Sequence, residues 1–283
     1  MDIIKVLQEE LQIGYKQAEA AVSLIDEGNT IPFIARYRKE ATGSLNDEVL
    51  RNLDERLKYL RNLEEKKEQV ISSIREQEKL TPELEKQILE AMTMVAVEDL
   101  YRPYRPKRRT RAMIAKEKGL EPLADLIWLQ QIKEPVEGLA RAYVSEEKQV
   151  ASEAEAVAGA RDILAERISD QADYRSYIRK ITMDRGMIAS SAKDGEIQSV
   201  YEMYYQYEEL IKRCAGHRIL ALNRGEKEKV LTVKIQAPEE DIIRYLEKQV
   251  ITRNNPFTVP ILQETIRDSY DRLIGPAIER EVR

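Results

Sequence analysis

The chain has 283 residues, about two domains' worth, with 34% charged residues, 42% hydrophobic residues and a formal net charge of −5. That composition belongs to a helix-rich protein with material for a buried core, and no window approaches the ~20 apolar residues of a membrane span. The start Met1-Asp-Ile-Ile-Lys-Val lacks a basic segment followed by an apolar run, and Cys214 and His217 are the only cysteine and histidine. An internal disulfide and a Cys/His metal cage are therefore excluded, and the expectation is a cytoplasmic protein, not an enzyme, with no metal or other cofactor.

Residues 1–42 read as a three-helix unit. Ile3, Ile4, Leu7 and Leu11 form one apolar stripe that Gly14 breaks, and Ala18, Ala21, Val22 and Ile25 form a second that Gly28 stops. Thr30 caps a third helix with Pro32 in its first turn and Phe33, Ile34 and Tyr37 as apolar contacts. As a helix-turn-helix, this unit would expose Arg36, Arg38 and Lys39 to phosphates or base edges. A packed helical cap with a solvated basic face explains the same residues and is favoured, because the turn signal is weak.

Residues 44–98 read as a helical hairpin. Ser44 to Asp47 fits a capping box, and Leu50, Leu53, Leu57, Leu60 and Leu63 recur at helical spacing in a helix running to about Lys79. Thr81-Pro82-Glu83 starts the partner helix, whose Leu84, Ile88, Met92 and Val95 are expected to pack back.

The crossing at 99–116 is the sharpest departure from the average charge. It gathers Arg102, Arg105, Lys107, Arg108, Arg109, Arg111 and Lys116 with no acid after Asp99, while Pro103 and Pro106 forbid a continuous helix. Arg and Lys held in such a corner can meet phosphates non-specifically; alternatively they pair with the chain's own surplus acids. Pro103-Tyr-Arg-Pro106 also fits a PxxP ligand, although turn-forming prolines explain it better.

Helices are expected through 117–186, with a second capping box at Ser152 to Glu155, and Met187 to Ala192 reads as a short strand followed by a turn at Lys193-Asp194-Gly195. Tyr201, Tyr204, Tyr205 and Tyr207 could stack on bases, but Glu202, Glu208 and Glu209 among them favour a packed aromatic cluster. From His217 the apolar period becomes two, which predicts a β-hairpin over 217–235 with Gly225 at its turn. A helix follows from Pro238 to Val250, and another from Val259 that Gly275-Pro276 kinks or restarts. The run to Arg283 has no stop signal, so a fragment of a longer protein is expected. The fold expected is mainly α, a multi-helix scaffold with one small β-hairpin, divided into 1–200 and 201–283.

Several stretches together resemble the Tex family of bacterial transcription accessory proteins, relatives of the elongation factor Spt6. They are Thr30-Ile-Pro-Phe-Ile-Ala-Arg-Tyr-Arg-Lys-Glu40, Asp99 to Ala112, Gly119-Leu-Glu-Pro-Leu-Ala124, His217-Arg-Ile-Leu-Ala-Leu-Asn-Arg-Gly-Glu226 and Asp268-Ser-Tyr-Asp-Arg-Leu-Ile274. The resemblance implies an N-terminal helical region that leads into a RuvC-like domain, helix-hairpin-helix modules and an RNA-binding S1 domain, none of which these residues contain. It implies RNA or DNA as partner, mainly through the full-length protein. An alternative is an interaction platform that docks on the transcription or translation machinery, motivated by the acidic remainder and long exposed helices.

Overall fold

A computed structural model describes residues 1–106, 109–194 and 198–283. Helix makes up 66% of it and the only sheet among the described residues has three strands, so the chain is mainly α. It divides into two compact units, Met1–Tyr104 and Arg105–Arg283.

In the first unit the three expected helices are α1 (Ile3–Leu11), α2 (Tyr15–Asp26) and α3 (Ile31–Tyr37). They pack on α4 (Asp47–Glu76), whose leucine stripe is the floor of the core: Leu50, Leu53, Leu57, Leu60 and Leu63 are all buried. Each contributes about 1.5–3 kcal/mol of apolar burial. Arg56 and Arg61 of α4 grip the carboxylates of Glu10 and Asp26, which fixes α1 and α2 against it; the Arg61 guanidinium holds the Asp26 carboxyl below its ordinary range. Two local expectations are corrected. Ser44 does not cap α4, because it adopts a left-handed backbone; Asn46 caps it instead, accepting from the Val49 amide at 2.8 Å. The partner helix stops at Ala91, so the return leg is α5 (Pro82–Glu90) and α6 (Met94–Tyr101), restarted by the Thr93 hydroxyl on the Ala96 amide. That break turns Met92 and Val95 outward, while Ile88 stays buried.

The second unit is built around α10 (Glu153–Ser169), capped by Ser152 as expected. Against it pack α7 (Arg111–Glu117), α8 (Glu121–Leu129), α9 (Val136–Ala140) and α14 (Val259–Ser269). The expected long face through Ile178 is two helices, since α10 ends at Asp170 and α11 (Ala172–Arg185) restarts after it. A π-helical turn at Tyr270–Ile274 joins α14 to α15 (Gly275–Val282), with α13 (Glu239–Val250) alongside. Burial pushes the Tyr270 hydroxyl up to about 12. One hydrophobic core contains both Ala112 to Ile181 and Ile242 to Ile278, so a boundary at 200 does not coincide with the division at 104.

The expected hairpin over 217–235 is absent. Residues 216–227 form a helix, α12 (Gly216–Lys227), and β3 (Leu231–Gln236) pairs with β1 (Met187–Ala192), the strand read from sequence. With β2 (Gln206–Leu210) the antiparallel order is β2-β1-β3, and Ser190 lies opposite both Tyr207 and Val233. Five residues, Arg218 to Leu222, are too few to separate period two from period 3.6. Gly225 is not a turn residue but a packing residue: a Cβ there would sit 2.6 Å from Leu231 Cδ1 and 3.2 Å from Tyr201 Cδ1. Its bareness lets α12 lie on β3, where Leu222 joins Tyr201 and Tyr204 in a small core, and the tyrosines belong to that core as expected.

Candidate nucleic-acid interface

Two groups of cations were singled out by sequence, and the structure treats them differently. In the first unit, α3 is short because Arg38 leaves the helical region at φ −125° and ψ 25°. The chain then makes a tight loop. Thr42, fully buried, donates through its amide and hydroxyl to the Arg38 carbonyl, and the Ser44 amide donates to the Lys39 carbonyl at 2.7 Å. The Gln17 side chain of α2 closes the loop by donating to the Thr42 and Gly43 carbonyls at 3.3 and 2.9 Å. Arg36, Arg38 and Lys39 all stand exposed on this ordered segment, and none is ion-paired among the described residues. Arg36, in the last turn of α3, also complements the helix dipole.

Beside them lie two aromatics, Phe33 and Tyr37, expected from the sequence to be apolar contacts. Only Ile34 is buried; Phe33 is 37% and Tyr37 63% exposed. Their rings are 5.3 Å apart and the Arg38 guanidinium lies 5.5 Å from the Phe33 centroid, a cation–π distance. The signal was present in the spacing: Phe33 and Tyr37 are four apart, so they share a face, and Ile34 points elsewhere. Such a surface offers rings to bases and cations to phosphates together.

The crossing is more engaged. Arg102, at the end of α6 in the first unit, is half-buried; Arg105, in the second, is exposed; both make interactions. Lys107 and Arg108 lie outside the described residues. Arg109 bonds Glu117 at 2.9 Å, with both side chains more than half exposed, and Lys116 pairs with Glu121 at 2.8 Å. Arg111 is exposed at the first position of α7 and acts through space on Asp162 and Asp268. Arg272 bonds both of those carboxylates, holding Asp268 below its usual range, whereas burial raises Asp162. Its sequence density thus meets acids of its own unit at several points.

Residues 1–75 match the family model described as the Tex-like protein N-terminal domain, and residues 131–282 match the one described as Tex central region-like. The chain is 45% identical over 235 residues to "Protein tex" of Bordetella pertussis, covering 82% of this chain and 30% of that protein. It is 40% identical over 290 residues to "Transcriptional accessory protein Tex" of Neisseria gonorrhoeae, covering 99% and 38%. A human relative named "S1 RNA-binding domain-containing protein 1" is 30% identical over 305 residues, 100% of this chain and 30% of its own length. The chain thus spans about a third of the length of these relatives. With its central model alone matching more than half of the 283 residues, the chain belongs to the Tex family.

Proposed function

We propose that this chain is the helical scaffold region of a cytoplasmic, non-enzymatic, nucleic-acid-associated transcription accessory protein, and that it makes a sequence-independent phosphate contact of its own. The observation that carries the contact is the exposed, unpaired set Arg36, Arg38 and Lys39 on a loop held by Gln17 and Thr42, beside exposed Phe33 and Tyr37. The names of the relatives support nucleic acid as partner, and "transcriptional accessory" is the role printed for one of them. Cations on phosphates release counterions, so affinity falls steeply with salt. Rings beside them favour unpaired bases, which makes single-stranded RNA or DNA the better ligand. The crossing residues Arg105, Arg109 and Arg111 contribute second, after their acidic neighbours.

The test is a titration of labelled single-stranded RNA and DNA with the 283-residue chain at several salt concentrations. Replacing Arg36, Arg38 and Lys39 by Gln is expected to weaken binding roughly tenfold at low salt and to flatten the salt dependence by about two units, from three lost contacts at ~0.7 each. An affinity and slope equal to those of the parent chain would remove the contact.

A further inference from the structure

The outward face of α12 carries a second set of cations, in a stretch whose apolar pattern predicts a strand. Its inner face is fixed by Leu222 and Gly225 against β3. At 100° per residue, His217, Leu220, Asn223, Arg224 and Lys227 then fall within an arc of about 120° on the opposite side, and all are exposed, Leu220 to 72%. No acid lies in that arc. Glu228, exposed just past the helix, bonds the hydroxyl of Tyr201, and Glu226 bonds Arg283. Lys212 and Arg213 stand exposed immediately before the helix. Among the described residues none of Lys212, Arg213, Arg224 and Lys227 is ion-paired, in contrast to Arg218 on the flank, which bonds Glu209 at 2.6 Å.

Helix stability accounts for only half of this. Arg224 and Lys227 sit in the last turn, where cations complement the dipole; Lys212 and Arg213 sit at the opposite end, where they oppose it. A protein of net charge −5 that keeps unpaired cations at both ends of one exposed helix holds a surface complementary to an extended polyanion. From His217 to Lys227 the stripe runs about 15 Å, at ~1.5 Å per residue, which matches about four steps of a nucleic-acid strand at ~3.4 Å each.

We infer that the outward face of α12, with Lys212 and Arg213 before it, binds the sugar-phosphate backbone of nucleic acid. The cations meet successive phosphates, Asn223 donates to phosphate or sugar oxygens, and Leu220 lies against the sugars. This rests on the nucleic-acid reading above, but not on the loop at 36–39, which belongs to the other unit.

The test uses the 283-residue chain, a labelled 20-nucleotide RNA, and the variant Arg213→Gln/Arg224→Gln/Lys227→Gln. A control, Arg51→Gln/Lys58→Gln/Lys86→Gln, removes the same charge from helix surfaces elsewhere. Expected are a roughly tenfold loss of affinity and a salt slope flatter by about two units for the α12 variant, with the control within about twofold of the parent. The side chains are exposed, so the midpoint of thermal unfolding should fall by only a few degrees, the helix-dipole share of Arg224 and Lys227. Equal losses in variant and control, or none in either, overturn the inference. So does binding of a polyglutamate peptide that depends on these residues while RNA binding does not. If the 36–39 variant binds weakly and the α12 variant normally, α12 alone falls; if the parent chain binds no nucleic acid, both readings fall.

Discussion

Residues 36–39 carry three cations and residues 102–116 seven, of which five are described, yet among the described residues the smaller group is the more available. Arg36, Arg38 and Lys39 stand on a segment whose own polar groups are satisfied by Gln17 and Thr42, and none of the three is ion-paired among the described residues, although Glu40 follows Lys39 in the chain. Arg109 and Lys116 lie within reach of Glu117 and Glu121, and Arg111 is under the influence of Asp162 and Asp268. What a polyanion meets is therefore set by where the nearest carboxylates fold, not by how many cations adjoin in the chain. α12 repeats the lesson in the second unit, where Arg218 is tied to Glu209 and Arg224, six residues on, is not.

The sharpest way to break the comparison is to disturb the loop without touching a charge. Gly43 has φ +59°, and a Cβ on it would lie 2.7 Å from the Gln17 Nε2 that donates to the loop carbonyls. Gly43→Ala is expected to cost about 1–2 kcal/mol for the left-handed backbone, read by urea unfolding. The Gln17 clamp must also shift. RNA affinity should then fall although every cation remains; an affinity equal to the parent's would mean that the order of the loop is irrelevant to binding.

The core was legible and the surface was not. The leucines of α4, the Thr81-Pro82 start of α5 and the Ser152 cap of α10 were read correctly because each signal is local: a stripe at 3.6 spacing, a preset φ, a hydroxyl three residues before an amide. The residues misread depend on something distant. Gly225 looks like a turn residue until Leu231 and Tyr201 are found against it. Phe33 and Tyr37 look like core until Ile34, flanked by Ile31 and Ala35, is seen to make the α3 contact. Arg109 and Lys116 of the crossing look available until their acids arrive, Glu117 only eight residues after Arg109.

A smaller effect separates rings from charges in the first region. Tyr37 is 63% exposed, so Tyr37→Ala removes little packing from the unit. Loss of one stacked base is worth about 1–3 kcal/mol, so binding of single-stranded RNA should weaken at least fivefold with an unchanged salt slope. Duplex binding should hold. An equal loss on duplex and single strand would leave only the cations as the contact.

The smallest effect is expected at the crossing. Arg109 and Glu117 are 70% and 56% exposed, and a pair so solvated contributes under about 1 kcal/mol to stability. A phosphate must compete with Glu117 for the same guanidinium, so Arg109→Gln should change RNA affinity less than about twofold, while Glu117→Gln, which releases Arg109, should strengthen it by a similar factor. The two variants have opposite signs if pairing is what limits the crossing. Should Arg109→Gln instead weaken binding as much as the loss of the 36–39 cations, the pair opens readily to a polyanion, and sequence density would after all govern the contact.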